Sequence, residues 1–219
     1  MQTSKNRHAY GRLREMIANG RLKPGYRLVL RPIAKRLGMS VGPVQEAIRR
    51  LEQEGLVETV DGWGSRVAQA SLEDIREAYL YRRAIECEAA RLACENMAPH
   101  FAADLRRLAQ ELDTLAETPH DESTMKRYAE ADCELHRLIA RATGVTRFVK
   151  ALESLQLYEI VWRNVVETLD ARHVPHAPLV EAIIAGNPQQ AEDAMRNHIS
   201  IAMDMQIEAI RWGKVSASS

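Results

Sequence analysis

Apolar residues recur at the spacing of an α-helix through the C-terminal two thirds of the chain. Between residues 72 and 97 they form one stripe, made of Leu72, Ile75, Tyr79, Ile85, Ala89 and Leu92. The same periodicity, interrupted by turn-forming residues, predicts five further helices, over 100–117, 122–143, 146–168, 172–186 and 188–212. Together these elements predict an antiparallel α-helical bundle in residues 71–219.

The first 70 residues have a shorter pattern that is more often interrupted. A helix that ends near Gly20 is followed by a second helix that ends at Gly38, and Ser40 is expected to cap a third helix. Two short strands then flank a glycine-rich tip at Gly62 and Gly64. This order predicts a winged helix-turn-helix in residues 1–70, so the chain as a whole is expected to be mainly α-helical.

Charge is distributed unevenly between these two regions. Residues 1–70 contain 13 Lys and Arg against 6 Asp and Glu, a net +7, although the whole chain has a formal net charge of zero. A basic winged helix is suited to double-stranded DNA, with its third helix in the major groove and Arg66 near the wing reaching a phosphate or the minor groove. Docking of a protein on the winged helix is the alternative, and Trp63 at the tip is either a contact or an aromatic packed on its own hairpin.

The composition argues against a membrane protein. No apolar run approaches the roughly 18 residues that span a bilayer, and the N-terminus lacks the apolar block of a signal peptide. Three cysteines without a framework spacing agree with a reducing compartment. We therefore expect a cytoplasmic protein.

The first 70 residues contain the order I-x-x-G-x-L-x-P-G-x-x-L from Ile17, then IAKRLGMS-x-x-PV-x-EAIRRLEQEGLV, and then the glycine-rich wing. With these motifs the region resembles the DNA-binding domain of GntR-family bacterial transcription regulators. Where the family motif reads Arg-Thr-Pro-Val-Arg-Glu-Ala, this chain has Val41-Gly42-Pro43-Val44-Gln45-Glu46-Ala47, which removes two arginines from the expected interface. The expected DNA contacts are Arg31, Ser40, Val41, Gly42, Gln45, Arg49, Gly64 and Arg66. Gln45 can pair with adenine and Val41 can touch a thymine methyl, so a shifted operator sequence is expected.

Four residues that commonly bind metals fall on the inner faces of three predicted helices: Asp132, His136, His176 and His198. A buried carboxylate is costly unless a positive charge neutralises it, and one carboxylate with three imidazoles suits Zn²⁺ first, or Ni²⁺, Mn²⁺ or Fe²⁺. His173 is the alternative to His176, and a purely structural set of histidines is the alternative to a metal site.

Arg82 lies on the inner face of its predicted helix, in register with Ile75 and Tyr79. It either pairs with an inward acid such as Glu86 or, beside a metal, binds the carboxylate of a small effector. No other inward acid or base is evident next to the ligand set, which disfavours a metal-dependent hydrolase.

Four motifs occur in residues 71–212: YRRAIE, D-x-x-x-H at Asp132, H-x-x-x-x-x-A-x-x-x-G-N-P-x-x-A from His176, and M-x-x-H-I at Met195. With these motifs the region resembles the FCD domain, the ligand-sensing domain of the FadR subfamily of GntR regulators. Six helices place the domain nearer the VanR-like form. The resemblance implies a metal held by the four residues above, an organic-acid or sugar-acid effector, and a homodimer. The function predicted is a transcriptional regulator, expected to be a repressor, that binds a palindromic operator under effector control; a DNA-binding dimer with a structural histidine cluster is the alternative.

Overall fold

The chain divides into two compact units in a computed structural model that describes residues 4–69, 71–118, 121–163 and 174–216. The first unit contains the residues up to Ser71 together with a segment that begins at Leu157, and the second contains the remaining residues from Leu72 onward. Within the described residues no helix is both long enough and apolar enough to cross a membrane.

The first unit is a three-helix winged helix-turn-helix. Its elements are α1 Ser4–Ala18, α2 Leu30–Leu37, α3 Val41–Gln53, β1 Val57–Val60 and β2 Gly64–Val67. The strands pair antiparallel, from Val57 opposite Val67 to Val60 opposite Gly64. Gly38 adopts φ 65°, the left-handed conformation that ends α2 and is easily reached by glycine. The predicted fold of this region is confirmed.

The helices of the first unit pack on one apolar core. Leu13 and Ile17 from α1 are buried in one cluster with Val44 and Leu51 from α3. A polar contact joins the same helices at the surface: the hydroxyl of Tyr10 donates to Glu54 Oε2 at 2.8 Å, and the Arg50 guanidinium lies 3.8 Å from the centre of the Tyr10 ring. These contacts fix the orientation of α3 within the unit.

The second unit is a bundle of helices, as predicted. Its elements are α4 Leu72–Glu95, α5 Pro99–Ala116, α6 Glu122–Ala142, α8 Ala177–Ile184 and α9 Pro188–Ser216. Helix α7 Thr146–Arg163 begins in this unit, and its residues from Leu157 onward belong to the first unit. The long helix α4 packs against α9 and α6, while α5 packs against α6 and α8. Asp121 caps α6, because its side chain accepts a hydrogen bond from the Thr124 backbone N–H at 2.7 Å. This arrangement brings the inner faces of α4, α6, α8 and α9 together.

One predicted helix was placed wrongly. The sequence pattern predicted a helix over 172–186, but α8 begins only at Ala177, and His176 occupies its N-cap position. The reason is local: Pro175 disfavours a helical conformation for the residue before it, whereas Pro178 is well tolerated in the first helical turn. His176 therefore precedes the helix and does not lie on its inner face.

Candidate metal centre

Asp132, His136, His176 and His198 come together in the second unit. We call these four residues the Asp–His cluster. Asp132 and His136 lie one turn apart on α6, His176 lies at the N-cap of α8, and His198 lies on α9. All four side chains are buried, and one ligand atom from each lies within 4.8 Å of the others.

Two imidazole nitrogens of the cluster lie near the Asp132 oxygen Oδ1. His176 Nε2 lies 3.1 Å from this oxygen, and His136 Nε2 lies 3.8 Å from it. The His198 ring completes the group, with its centre 4.8 Å from that of His176 and 5.3 Å from that of His136. Histidine and aspartate bind first-row metals at about 2.0–2.2 Å, so a set of ligand atoms separated by up to about twice that distance surrounds a volume suited to one ion.

The polar atoms of the cluster fit a cation. Within the described residues, His136 Nε2 and His198 Nδ1 are buried and have no hydrogen-bond partner. Burial and the neighbouring imidazoles lower the pKa of His198 from 6.5 to about 3, so its ring is neutral at physiological pH and can donate a lone pair. Buried nitrogens without partners are costly, and a metal ion would satisfy both of them.

A second carboxylate, that of the inward Glu86, lies beside the cluster, where the sequence pattern predicted no further acid next to the ligand set. Glu86 on α4 is 1% exposed, and its Oε2 is in close contact with His136 Nδ1. Burial alone would raise the pKa of Glu86, but the charge of Arg82 and the contact with His136 outweigh it and lower the pKa. Glu86 is therefore ionised and belongs to the same polar group as the cluster.

Arg82 faces inward, as the helical phase predicted, and it pairs with Glu86. Its Nε donates to Glu86 Oε1 at 2.7 Å, and its guanidinium lies 5.2 Å from the centre of the Tyr79 ring. Although burial disfavours the charged guanidinium, the neighbouring Glu86 raises the pKa of Arg82, so its charge is retained. The alternative that paired Arg82 with Glu86 is thus observed, and a role in effector binding stays a prediction.

Asp113 on α5 holds the segment that carries His176. Its Oδ1 accepts a hydrogen bond from the His176 backbone N–H at 2.9 Å, and its Oδ2 accepts one from the Ala177 N–H at 3.3 Å. Two of the donors at the start of α8 are therefore satisfied by a side chain from another helix. No local sequence pattern predicts this contact, because it joins residues more than 60 positions apart. His173, the alternative to His176, lies outside the described residues.

The expected DNA contacts lie in the first unit, and most of them are exposed. Arg31, Ser40, Val41, Gly42, Gln45, Arg49 and Gly64 are all exposed, and Arg66 is partly exposed. Ser40 is the N-cap residue of α3, although its side chain makes no capping hydrogen bond. The N-terminal turn of α3 is therefore open to a partner.

Two of these arginines are paired within the unit. Arg49 makes two hydrogen bonds to Glu46, at 3.1 and 2.7 Å, and Arg66 Nε donates to Glu58 at 2.8 Å on the neighbouring strand. At the wing tip Trp63 is 54% exposed, and the Arg27 guanidinium lies 5.4 Å from the centre of its ring. Phosphate binding by Arg49 or Arg66 would thus exchange one anionic partner for another.

Comparison with known proteins finds a matching family model in each of the two units. The family model described as "Bacterial regulatory proteins, gntR family" matches residues 5–67, and the model described as "FCD domain" matches residues 77–200. A relative from Paenarthrobacter nicotinovorans, named "Probable D-xylose utilization operon transcriptional repressor", is 33% identical over 187 residues, which cover 84% of this chain and 80% of the relative. The transcriptional repressor GlaR of Escherichia coli K12 is 27% identical over 198 residues, covering 87% of this chain and 90% of GlaR.

Solved structures give the same result for the fold. A GntR transcriptional regulator from Rhodococcus sp. RHA1 has a TM-score of 0.76 and 27% identity, over 94% of this chain and 99% of that one. McbR/YncC of E. coli has a TM-score of 0.74 over 94% of this chain and 99% of its own, but at 20% identity it supports the fold alone.

Proposed function

This chain belongs to the gntR family of bacterial regulatory proteins and contains an FCD domain, and on that premise we propose a transcriptional repressor controlled by a small organic acid. Family membership makes the chain a DNA-binding transcriptional regulator and not an enzyme. The proposal adds three features: a divalent metal in the Asp–His cluster, an effector carboxylate beside it, and a cytoplasmic homodimer that binds a palindromic operator.

The observation that supports the metal is the charge balance around the cluster. Arg82, Glu86 and Asp132 are buried together and carry a net charge of −1, while the three histidines of the cluster add nitrogen ligands. Buried charge of this kind requires a counter-ion. A divalent cation would be held by Asp132, His136, His176 and His198, with Zn²⁺ first and Ni²⁺, Mn²⁺ or Fe²⁺ as alternatives. When bound, it supplies Lewis acidity and coordination positions for an anion.

The same balance favours an anionic effector. With a dication in place, the buried group would carry a net charge of +1, which suits one carboxylate. Arg82 already donates to Glu86, so an incoming carboxylate would share its guanidinium with Glu86 or replace Glu86 on it. Small mono- and dicarboxylates and sugar acids are therefore the candidates, because each offers a carboxylate.

Operator binding is assigned to the first unit. The exposed N-terminal turn of α3, with Val41, Gly42 and Gln45, would meet base edges, and the basic residues around it would meet phosphates. Two copies of this unit in a homodimer would bind two half-sites of a palindrome. Because phosphate neutralisation dominates such binding, DNA affinity should fall by about 10³-fold or more between 50 and 200 mM salt. A shallow salt dependence would contradict the assignment.

The effector is tested by thermal-shift screening of metal-loaded protein against small carboxylates and sugar acids. A ligand at 100 times its Kd stabilises the folded state by about 2.7 kcal/mol, which raises the melting temperature by several degrees. The same ligand should change operator affinity in a fluorescence-anisotropy titration.

One histidine variant tests the metal site, and a second histidine variant is its control. His198→Gln should abolish both the ligand-induced shift and metal binding, whereas His100→Gln, which changes an exposed histidine of α5, should leave both unchanged. No bound metal in the wild-type protein, together with normal DNA affinity in His198→Gln, would instead support a dimer with a structural histidine cluster.

A further inference from the structure

Glu86 lies between the buried side chains of Arg82 and His136. Its Oε1 accepts the hydrogen bond from Arg82 Nε at 2.7 Å, while its Oε2 is in close contact with His136 Nδ1. The side chains of Glu86 and His136 are each 2% exposed, and that of Arg82 is 9% exposed. One carboxylate on α4 therefore contacts a guanidinium from its own helix and an imidazole from α6.

The contact constrains the chemistry of His136. A neutral imidazole carries a proton on one nitrogen and a lone pair on the other. Because Nδ1 faces a carboxylate that can only accept, the proton is favoured on Nδ1 and the lone pair on Nε2. Nε2 in turn points toward the cluster, 3.8 Å from Asp132 Oδ1, and has no hydrogen-bond partner among the described residues.

We infer that Glu86 is a positioning residue for the metal centre, which orients His136 and selects its Nδ1–H tautomer, while Arg82 holds Glu86 in place. The inference rests on the proposed metal site. Carboxylates that hydrogen-bond to metal-binding histidines in this way raise the basicity of the ligand and fix its ring, and their loss costs about 10–100-fold in metal affinity. Arg82 affects His136 only indirectly, through the ion pair that orients the Glu86 carboxylate.

The matched test compares Glu86→Gln with Glu88→Gln, the same substitution on the same helix at a glutamate whose side chain is 44% exposed. Zn²⁺ affinity is measured by competition with a chromogenic chelator, and the His136 tautomer is read from ¹⁵N chemical shifts in metal-free protein. We expect wild type and Glu88→Gln to show Nδ1–H and equal affinity. Glu86→Gln should lose the single tautomer and bind Zn²⁺ at least tenfold more weakly.

Glu86→Gln leaves the buried Arg82 without its anionic partner and could therefore prevent folding. A second variant separates that effect from a loss of metal affinity. The double variant Arg82→Gln, Glu86→Gln removes both charges and should fold, as judged by circular dichroism, with the same loss of affinity. Folded variants with wild-type affinity and an unchanged tautomer would overturn the inference, as would failure of both variants to fold. A wild-type protein that binds no metal would overturn the proposed function instead.

Discussion

Replacing Asp113 by alanine should weaken both the fold around α8 and metal binding. The substitution removes the acceptor of two backbone hydrogen bonds, from His176 N–H at 2.9 Å and Ala177 N–H at 3.3 Å. A hydrogen bond to a charged group contributes about 1.5–3 kcal/mol when buried. The Asp113 side chain is 30% exposed, so water can replace part of each bond, and we take about 1 kcal/mol for each.

The expected loss is therefore about 2 kcal/mol of unfolding free energy, at the upper end of the range for removal of a helix cap. Metal affinity should fall as well, because the metal would bind only the state in which His176 is in place. A local destabilisation of that size limits the loss of affinity to about 30-fold. Asp113→Asn should give an intermediate effect, since the two hydrogen bonds go to different oxygens and the amide replaces one oxygen by an NH2 group that cannot accept.

Urea unfolding of the metal-free protein and a Zn²⁺ competition titration measure the two quantities. Asp104→Ala provides the control, because Asp104 lies on the same helix and its side chain is 54% exposed. Its ion pair with Arg107 is long, with 3.9 Å between Arg107 Nε and Asp104 Oδ1. If Asp113→Ala and Asp104→Ala had the same unfolding free energy and the same Zn²⁺ affinity, the reasoning about the cap would be refuted.

Two further predictions concern charge. Glu46→Gln should tighten DNA binding several-fold at low salt, because it frees Arg49 from its two hydrogen bonds and removes a negative charge near the phosphates. The control is Glu15→Gln, which changes an exposed glutamate on α1 that pairs with Arg12. Equal DNA affinities of the two variants would contradict this prediction. The unfolding free energy of metal-free protein should fall as pH drops below 6.5, because unfolded His198 takes up a proton that the folded residue, with its pKa lowered to about 3, does not. His198→Gln should flatten this profile, and stability that rose toward acid pH would contradict the assignment.

Much of the fold follows from local sequence patterns. The helix predicted over 100–117 is observed as Pro99–Ala116, and that predicted over 122–143 is observed as Glu122–Ala142. Hydrophobic periodicity and turn residues are local signals, so they place elements without knowledge of their neighbours. The inward phase of Asp132, His136 and His198 was predictable for the same reason, since each lies on a regular helix.

The local conformation of His176 was less accessible to this reasoning. Its phase relative to Val180 and Ile183 assumed a helix that continued through Pro175, whereas the chain begins α8 at Ala177. His176 nevertheless reaches the cluster, because the N-cap of α8 is held by Asp113 from α5. His176 therefore lies in the cluster, but not because of the helical phase from which it was predicted.

Local sequence patterns predict the kind of elements, their order, the charge of each region and the residues that could hold a metal. Which carboxylates contact the metal-binding candidates depends on the packing of α4 against α6 and of α5 against α8. Glu86 reaches His136, and Asp113 reaches the His176 backbone, only because separate helices come into contact. Such contacts join residues 50 and more positions apart, and helical periodicity carries no information about which neighbour a buried side chain will meet.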